Sequence, residues 1–465
     1  MKKLGLAAMA ALMVATAGTA APKVTGHPQA EAEALDLAKK AISLRSVIGP
    51  GNQTPEVAAL YKDALVKGGF DADRIEITRV DDTAYLIATW PGSDLKLKPL
   101  VISGHMDVVE AKPSDWQRDP FTPVVENGFL FGRGASDMKL DGTIAIAALN
   151  ELRRSGYKPK RTIIIQFSGD EETTMKTSAI IAEKLKDADL VLNIDGAGGT
   201  LDEKTGKPTY WTWQGAEKTY ADFEMTVTNP GGHSSAPRPV NAIVQMSKAL
   251  GKIGAYNFQP EMSDLTRASL LAAAPFEEPD VGAALKAFVA NPADEAALKV
   301  LRANPSTVGR IATTCVPTMV AGGHGLNALP QKVTANINCR IFPGHKPADI
   351  MAELARVAGD PAISWKDVTI GSVANDASPM RADFITAATK AIRGVYPGIP
   401  IIPTQASGAS DCQWFRYHNT PCYGASPSLI KESDEFSHGL NERSPVSNIA
   451  PGITYYLSLF ADLSK

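Results

Sequence analysis

Four short apolar runs constrain the fold of this chain more than any other feature of its sequence. None of them alternates between apolar and polar residues. The runs cover residues 85–89, 100–103, 162–167 and 190–194. Such strands are typically buried on both faces of a sheet. Helical patterns at 143–155 and 177–186 separate several of the runs, and strands that alternate with helices are typical of α/β proteins. We therefore predict an α/β fold with a mixed sheet that helices cover on both sides.

A different pattern in the middle of the chain predicts a second domain. Residues 223–228 and 333–341 alternate strictly between apolar and polar, which indicates antiparallel strands with one covered face. Helical patterns lie between these strands, and the α/β pattern resumes after residue 344. At 465 residues the chain is also too long for one ordinary core. We predict an α+β domain at 217–341, inserted into a catalytic domain that comprises residues 27–216 and 342–465.

The first twenty residues have the pattern of a secretory signal peptide. Lys2 and Lys3 precede an apolar run at 4–17, and small residues follow. We expect cleavage after Ala20 and an exported protein, periplasmic or secreted, with no stable membrane anchor. An uncleaved anchor is the alternative. No later apolar run approaches the ~20 residues that a membrane-spanning helix needs.

Charge and cysteine content exclude some classes of protein. The net charge is -3, which gives no electrostatic footprint for nucleic acid. The four cysteines are too few for a disulfide framework and lack zinc-site spacing. Cys339 falls on the apolar side of an alternating strand and is expected in the core. Cys412 and Cys422 could form a disulfide if the protein is exported.

Five residues of metal-binding type follow strand-like runs or lie in Gly-rich loops. They are His105, Asp137, Glu172, Asp195 and His438. Two divalent ions carry four positive charges, which the three carboxylates and a bridging hydroxide would balance, with both imidazoles neutral. We therefore predict two zinc ions per chain, bridged by Asp137. Other divalent ions, such as Co²⁺ or Mn²⁺, would also suit these ligands.

Two further acidic residues have predicted catalytic roles. Asp107 lies two residues after His105, so both side chains point the same way on an extended segment. Asp107 can then orient the imidazole for metal binding. Glu171 adjoins Glu172 and should point elsewhere, which makes it the natural general base for the bridging water. Each residue alone could be a capped turn or a helix start, but the whole set makes coincidence an unsatisfactory explanation.

Several strings resemble the dizinc exopeptidase and amidohydrolase family. That family includes glutamate carboxypeptidase, succinyl-diaminopimelate desuccinylase, acetylornithine deacetylase, aminoacylase and carnosinase. The similar strings are GHMDVV, FGRGASDMKLDG, SGDEET, GGHSSAP, GLNALPQ and INCRIFPG. The resemblance runs from about residue 30 to the end. It implies a catalytic domain with an inserted lid that forms a homodimer.

The resemblance also implies roles for individual residues. His105, Asp137 and Asp195 would hold one zinc ion, and Asp137, Glu172 and His438 the other. A cis peptide would follow the bridging residue, between Asp137 and Met138.

In the lid, the resemblance implies that His233 reaches the active site of the other subunit and polarises the cleaved carbonyl. Asn327 and Arg340 match residues that bind the carboxylate of the substrate. The backbone around Ser407 and Gly408 matches a further carboxylate-binding loop. One departure is Thr173-Thr174-Met175, where the family often has a Gly after the acidic pair, so the substrate preference can differ.

Three functions remain open from the sequence. The first is an exported zinc exopeptidase that cleaves dipeptides or short peptides with a free C-terminal carboxylate. The second is a dizinc deacylase of N-acyl amino acids. The third is a non-catalytic binding protein of the same fold, which a missing ligand or base would mark, and none is missing. A serine hydrolase is disfavoured because no G-x-S-x-G motif occurs.

Overall fold

The computed structural model describes residues 26–465. The predicted signal peptide at 1–20 therefore lies outside the described residues. Within residues 26–465, no helix combines the length and the apolar character needed to cross a membrane.

The described chain contains the following α-helices and β-strands. The helices are α1 (Pro28–Ile42), α2 (Thr54–Lys67), α3 (Lys139–Arg154), α4 (Lys176–Leu185), α5 (Ala242–Gly254), α6 (Asp264–Ala273), α7 (Pro279–Ala290), α8 (Glu295–Ala303), α9 (Pro305–Ile311), α10 (Pro347–Ala358), α11 (Ala382–Val395), α12 (Cys412–Tyr417) and α13 (Ile449–Leu463). The strands are β1 (Ile75–Val80), β2 (Thr83–Trp90), β3 (Leu100–His105), β4 (Val124–Glu126), β5 (Phe129–Phe131), β6 (Ile163–Ser168), β7 (Leu190–Asn193), β8 (Gly198–Leu201), β9 (Pro208–Glu217), β10 (Thr219–Thr228), β11 (Gly232–His233), β12 (Thr314–Gly322), β13 (Ala328–Leu329), β14 (Lys332–Ile341), β15 (Ser364–Asp367), β16 (Ile401–Ala406), β17 (Cys422–Gly424), β18 (Leu429–Ile430) and β19 (Arg443–Pro445).

A large mixed sheet forms the body of the molecule, as the sequence predicts. Its strand order is β1-β2-β6-β3-β7-β17-β9-β8-β18, and β16 pairs with β9. Strands β6, β3 and β7 are parallel neighbours, whereas β2 is antiparallel to β6. Every residue of β3 and β6 is buried. Leu100 and Ile102 pack into one apolar cluster and Val101 into another, so both faces of the sheet are covered.

A smaller antiparallel sheet forms the inserted domain. Its order is β12-β14-β10-β15. Strands β10 and β14 alternate between buried and partly exposed residues, as their sequences predict, and helices α5 and α10 contribute to the core on their buried side. The polar residues of β10 and β14 lie on the side of the small sheet that faces away from this core.

The predicted end of the inserted domain at residue 341 is wrong. Strand β15 pairs with β10, with Asp367 opposite Phe223, and Ile350 and Leu354 of α10 pack in the core of the small sheet. The inserted domain therefore continues to at least residue 367. The sequence of α10 shows that one of its faces is apolar, but it does not show which of the two sheets that face covers.

The helical segment inside the insertion also differs from expectation. Helices α6 to α9 form an apolar cluster of their own that includes Phe288 and Leu301. Leu265 of α6 packs instead into the core of the large sheet, and α6 lies against β16. Residues 264–311 thus adjoin the catalytic domain, although the sequence placed them inside the lid.

Two disulfides join neighbouring elements. Cys412 and Cys422 are paired, which was one of the alternatives that the sequence left open. Cys339 is fully buried, as predicted, and pairs with Cys315 across β12 and β14. The second pairing was not predicted, because it depends on the register of two strands that are distant in sequence.

Candidate metal centre

The ends of three parallel strands bring the predicted metal ligands together. His105 is the last residue of β3, Glu172 follows β6, and Asp195 follows β7. Because β6, β3 and β7 run in parallel, their carboxyl ends meet at one edge, where α/β proteins typically bind ligands. Asp137 lies in the turn between β5 and α3, and His438 lies in the loop between β18 and β19.

Asp137 stands between the two histidines. Its Oδ1 lies 2.9 Å from Nε2 of His105, and its Oδ2 lies 3.1 Å from Nε2 of His438. A carboxylate oxygen of Glu172 lies 3.0 Å from the same atom of His438, and Oδ2 of Asp195 lies 3.8 Å from Nε2 of His105. The peptide bond after Asp137 is cis, as the resemblance implies. One carboxylate thus faces a histidine with each of its oxygens, an arrangement suited to bridging two cations.

The carboxylates of this cluster outnumber its histidines, and they raise the pKa values of their neighbours. His438 donates hydrogen bonds to the carboxylates of Asp137 and Glu172, which raises the pKa of His438 to about 10. Burial raises the pKa of Asp195 to about 8, and neighbouring carboxylates add to this rise. Burial would also raise the pKa of Asp137, but hydrogen bonds from both histidines lower it. A bound metal cation would supply the positive charge that the imidazole protons supply in its absence.

The donor set fits divalent ions. Ligand atoms of His105, Asp137 and Glu172 all lie within 4.8 Å of one another. Imidazole nitrogen and carboxylate oxygen are donors that zinc accepts. When bound, such ions act as Lewis acids and lower the pKa of water. His105, Asp137 and Glu172 could hold an ion, and Asp195 and His438 lie beside them.

Glu171 is buried beside this cluster. Only 9% of the surface of Glu171 is exposed. Burial raises the pKa of Glu171 well above its ordinary value, and Asp195 adds to this rise. A carboxylate in such surroundings binds a proton more readily than one in water. This property suits a general base that takes a proton from water and later donates it to a leaving amine.

Asp107 connects the first histidine to the acidic pair. Its carboxylate accepts the backbone N–H of Glu171 at 3.1 Å and that of Glu172 at 3.0 Å. Nδ1 of His105 lies 3.0 Å from the carbonyl oxygen of Asp107 but 3.5 Å from its carboxylate. The histidine is therefore oriented mainly by the backbone of Asp107, whereas the sequence suggested its side chain.

Glu442 is a site residue that the sequence analysis missed. It is fully buried. One of its oxygens accepts Nη1–H of Arg133 at 2.6 Å and the N–H of Gly134 at 3.1 Å. The other accepts the N–H groups of Ser136 at 2.7 Å and Asp137 at 3.0 Å. Since Glu442 lies four residues after His438, its hydrogen bonds join the loop of His438 to the loop of Asp137.

The predicted substrate-binding residues form two separate pairs. Nη1 of Arg340 donates to the carbonyl of Ser407 at 3.0 Å, and its guanidinium lies 4.8 Å from the centre of the Tyr220 ring. Gly408 is exposed beside Ser407.

The second pair is His233 and Asn327. His233 is exposed, and Nδ1 of its ring lies 2.7 Å from Oγ of Ser235. The N–H of Ser234 donates to the carbonyl of Asn327, so β11 and β13 hold His233 and Asn327 close in the fold. Among residues 26–465, no hydrogen bond joins either pair to the five metal-ligand residues.

Known proteins resemble this chain over most of its length. Residues 101–462 match the model of Peptidase family M20/M25/M40. The chain is 26% identical over 401 residues to probable carboxypeptidase S-like 2 of Dictyostelium discoideum, covering 82% of this chain and 74% of the relative. It is 27% identical over 380 residues to the mouse N-fatty-acyl-amino acid synthase/hydrolase PM20D1, covering 77% and 73%.

A solved structure has the same fold. It is the M20 family metallo-carboxypeptidase Sso-CP2 from Sulfolobus solfataricus, with a TM-score of 0.68 and 20% identity. The likeness covers 92% of this chain and 98% of that one.

Proposed function

Because the chain belongs to peptidase family M20/M25/M40 and is thereby a metallo-hydrolase of peptide or amide bonds, we propose that it is an exopeptidase. Its proposed substrates are dipeptides or short peptides with a free C-terminal carboxylate. The relative from Dictyostelium discoideum, a probable carboxypeptidase S-like protein, supports this choice.

The contact between Arg340 and Ser407 is the observation that carries this proposal. The Ser407 carbonyl and the Tyr220 ring hold the guanidinium of Arg340 in place. A guanidinium has five N–H donors, so donors remain for a carboxylate, which it binds with two parallel hydrogen bonds. We propose that a free α-carboxylate binds there and that the preceding amide bond is the one cleaved.

The catalytic roles follow from the cluster. We assign Asp137 as the bridging ligand, His105 and Asp195 to one ion, and Glu172 and His438 to the other, with zinc as the preferred metal. Glu171 takes a proton from water at its carboxylate and passes it to the leaving amine.

A second candidate function is the hydrolysis of N-acyl amino acids. The mouse relative named as an N-fatty-acyl-amino acid synthase/hydrolase supports it. Both kinds of substrate carry a free α-carboxylate for Arg340, and they differ on the other side of the cleaved bond. The C-terminal contact therefore does not separate them.

We also propose a homodimer that forms through the inserted domain. Strand β12 is an edge strand, and it exposes Val316, Met319 and Val320. Ile243 and Val244 of α5 are exposed as well. Exposed edges and apolar patches of this kind are typical of contact surfaces. In this dimer His233 would act at the site of its partner.

Mixing inactive variants tests this arrangement. A His233→Ala chain and a Glu171→Gln chain should recover part of the activity when their subunits exchange, because each mixed dimer has one site with both residues intact. No recovery after demonstrated subunit exchange would contradict action across the interface.

Export is proposed as well. Two disulfides join pairs of cysteines, and disulfides persist in oxidising compartments. Residues 1–20 add the signal-peptide pattern. Mass spectrometry of the protein from its source should find the mature N-terminus after residue 20, whereas an intact N-terminus would contradict cleavage.

A substrate panel tests the proposed function. The metal-loaded protein is given dipeptides, their C-terminal amides and N-acyl amino acids, and the products are identified. We expect the highest kcat/KM for dipeptides with a free carboxylate. A higher kcat/KM for N-acyl amino acids would favour the second function, and no cleavage of any amide bond would overturn both.

A further inference from the structure

A buried lysine, Lys218, lies where the chain passes from the large sheet to the inserted domain. It stands between β9 and β10 and is only 1% exposed. Its Nζ donates to the carbonyl of Ala312 at 2.7 Å and to Oγ1 of Thr314 at 3.3 Å. An ammonium has three N–H donors, so one donor remains beyond these two neutral acceptors.

No carboxylate forms an ion pair with Lys218 within residues 26–465. The acidic residues around it form ion pairs elsewhere, Glu217 with Arg416 and Glu261 with His345. Lysines are almost never fully buried unless they are paired, because removing an ammonium from water costs free energy. The packing of the described residues therefore does not explain why this position carries a charge.

Lys218 adjoins the residues that we assign to the carboxylate of the substrate. Its backbone N–H donates to the carbonyl of Ala406 at 3.0 Å, and Ala406 precedes Ser407, whose carbonyl accepts from Arg340. Thr314 pairs with Arg340 across β12 and β14. Lys218 thus contacts both the neighbour of Ser407 and the residue that is paired with Arg340.

The fold places the two cations Lys218 and Arg340 near each other. Burial and, next, the charge of Arg340 lower the pKa of Lys218 to about 7, whereas Glu261 acts in the opposite direction. Like charges disfavour each other's charged form, and a bound anion favours both. Ser407 also lines a cavity of about 360 Å³, which gives a ligand room at this place.

We propose that Lys218 is a positioning residue behind Arg340 that determines the preference for substrates with a free carboxylate. It holds the backbone next to Ser407, and its charge adds to the positive potential at the guanidinium. Because it is buried, it acts without touching the substrate. The proposal rests on the exopeptidase function and names a further residue on which its substrate choice depends.

Calorimetry with alanyl-leucine and its C-terminal amide tests this role. The parent is metal-loaded Glu171→Gln protein, which should leave both peptides intact, and it should bind the acid more tightly than the amide. Lys218→Met keeps the length of the side chain but removes its charge, so the preference for the acid should fall about tenfold. Lys366→Met, which alters an exposed lysine of the same domain, should leave the preference unchanged.

The pH dependence of this preference separates charge from packing. Because the pKa of Lys218 is about 7, its ammonium is charged below pH 7 and loses its charge as the pH rises. The preference of the parent for the acid should therefore fall about tenfold between about pH 6 and pH 8. In Lys218→Arg, which stays charged over this range, the preference should not fall, and in Lys218→Met it should be low throughout.

Both variants of Lys218 retain the other charged groups around it. Glu217, whose pKa burial raises to about 7, and His345 can also change protonation in this range. A fall in preference that persists in Lys218→Arg or Lys218→Met would therefore come from them and would overturn the role of Lys218. The remaining charged groups on the surrounding elements are Glu261, Glu277, Arg310, Arg340 and Arg416.

The other outcomes separate this role from the function. Equal weakening of acid and amide binding by Lys218→Met would show that Lys218 only joins the two domains. Equal binding of acid and amide by the parent would overturn this role together with the carboxylate contact of Arg340. Failure of the wild-type protein to cleave any amide bond would overturn the exopeptidase function, while the binding comparison would still decide the role of Lys218.

Discussion

The metal centre and the inserted domain offer two kinds of functional residue. His105 and Asp107 are each 1% exposed, and His105, Glu172 and Asp195 lie at the ends of buried strands. His233 and Asn327 are exposed, and backbone pairing joins the turn of His233 to that of Asn327. The large sheet thus preorganises the residues at its strand ends, whereas His233 and Asn327 of the inserted domain are open to solvent.

This difference separates two tasks. A cluster that one domain assembles should bind metal whether or not the inserted domain engages a substrate. The exposed residues of the inserted domain should determine which substrate is cleaved. Substitutions in the two regions should therefore change different measured quantities, and the following predictions run from the largest expected effect to the smallest.

Glu171→Gln should cause the largest loss. The glutamine keeps the shape of the side chain but cannot take a proton from water, so we expect kcat to fall by ~10²–10⁴-fold. Metal content should remain near that of the wild type, as measured by elemental analysis. Retention of a tenth of the activity would show that Glu171 is not the base.

Glu442→Gln should weaken metal binding rather than proton transfer. Glutamine has one oxygen and would aim its NH₂ at backbone N–H donors, which leaves the loop of Asp137 without its anchor. We expect metal affinity to fall by ~10–100-fold, measured by competition with a chelator.

The surface substitution Glu432→Gln, in the same part of the chain, is the control for Glu442. It should not change metal affinity. Unchanged affinity in Glu442→Gln as well, with the protein folded, would mean that the loop of Asp137 holds its position without Glu442.

Arg340→Lys should affect substrate choice and leave the metals in place. A lysine cannot form two parallel hydrogen bonds with a carboxylate, so kcat/KM for a dipeptide should fall ~10-fold or more. The value for the C-terminal amide, already low, should change little. Arg356→Lys on the exposed face of the same domain is the control, and a wild-type-like Arg340→Lys enzyme would refute the carboxylate contact.

A smaller effect concerns the pH dependence of the metal-free protein. The pKa of His438 is raised from 6.5 to about 10, so its protonation stabilises the fold fully below pH 6.5, and this contribution is lost as the pH rises through 10. The denaturation midpoint of metal-free protein should therefore fall over this range, and more than in His438→Gln. Identical pH profiles of the two proteins would contradict the contact of His438 with the carboxylates.

The sequence predicted those parts of the site that local patterns encode. His105, Glu172 and Asp195 follow strand-like runs, so their meeting at one sheet edge follows from the α/β class alone. The contact of Glu442 with Arg133 joins residues 309 positions apart, and no local pattern indicates it. The same reason explains the missed pairing of β15 with β10 and the unpredicted disulfide between Cys315 and Cys339.

The roles predicted for residues of the inserted domain rest on the family resemblance and not on local sequence patterns. Arg340 lies on the polar side of an alternating strand, where a solvated arginine is just as ordinary. Only the fold shows that it contacts Ser407, 67 residues away. Conformations that depend on a substrate or a second subunit are not encoded in local periodicity.

The central claim is that Asp137 bridges two ions, and one crystallographic measurement tests it most directly. Anomalous diffraction is collected at the zinc edge from crystals of protein loaded with zinc and then dialysed. The account predicts two anomalous peaks per chain, ~3.5–4 Å apart, with one oxygen of Asp137 directed to each. A single peak, or two peaks of which Asp137 contacts at most one, would contradict it.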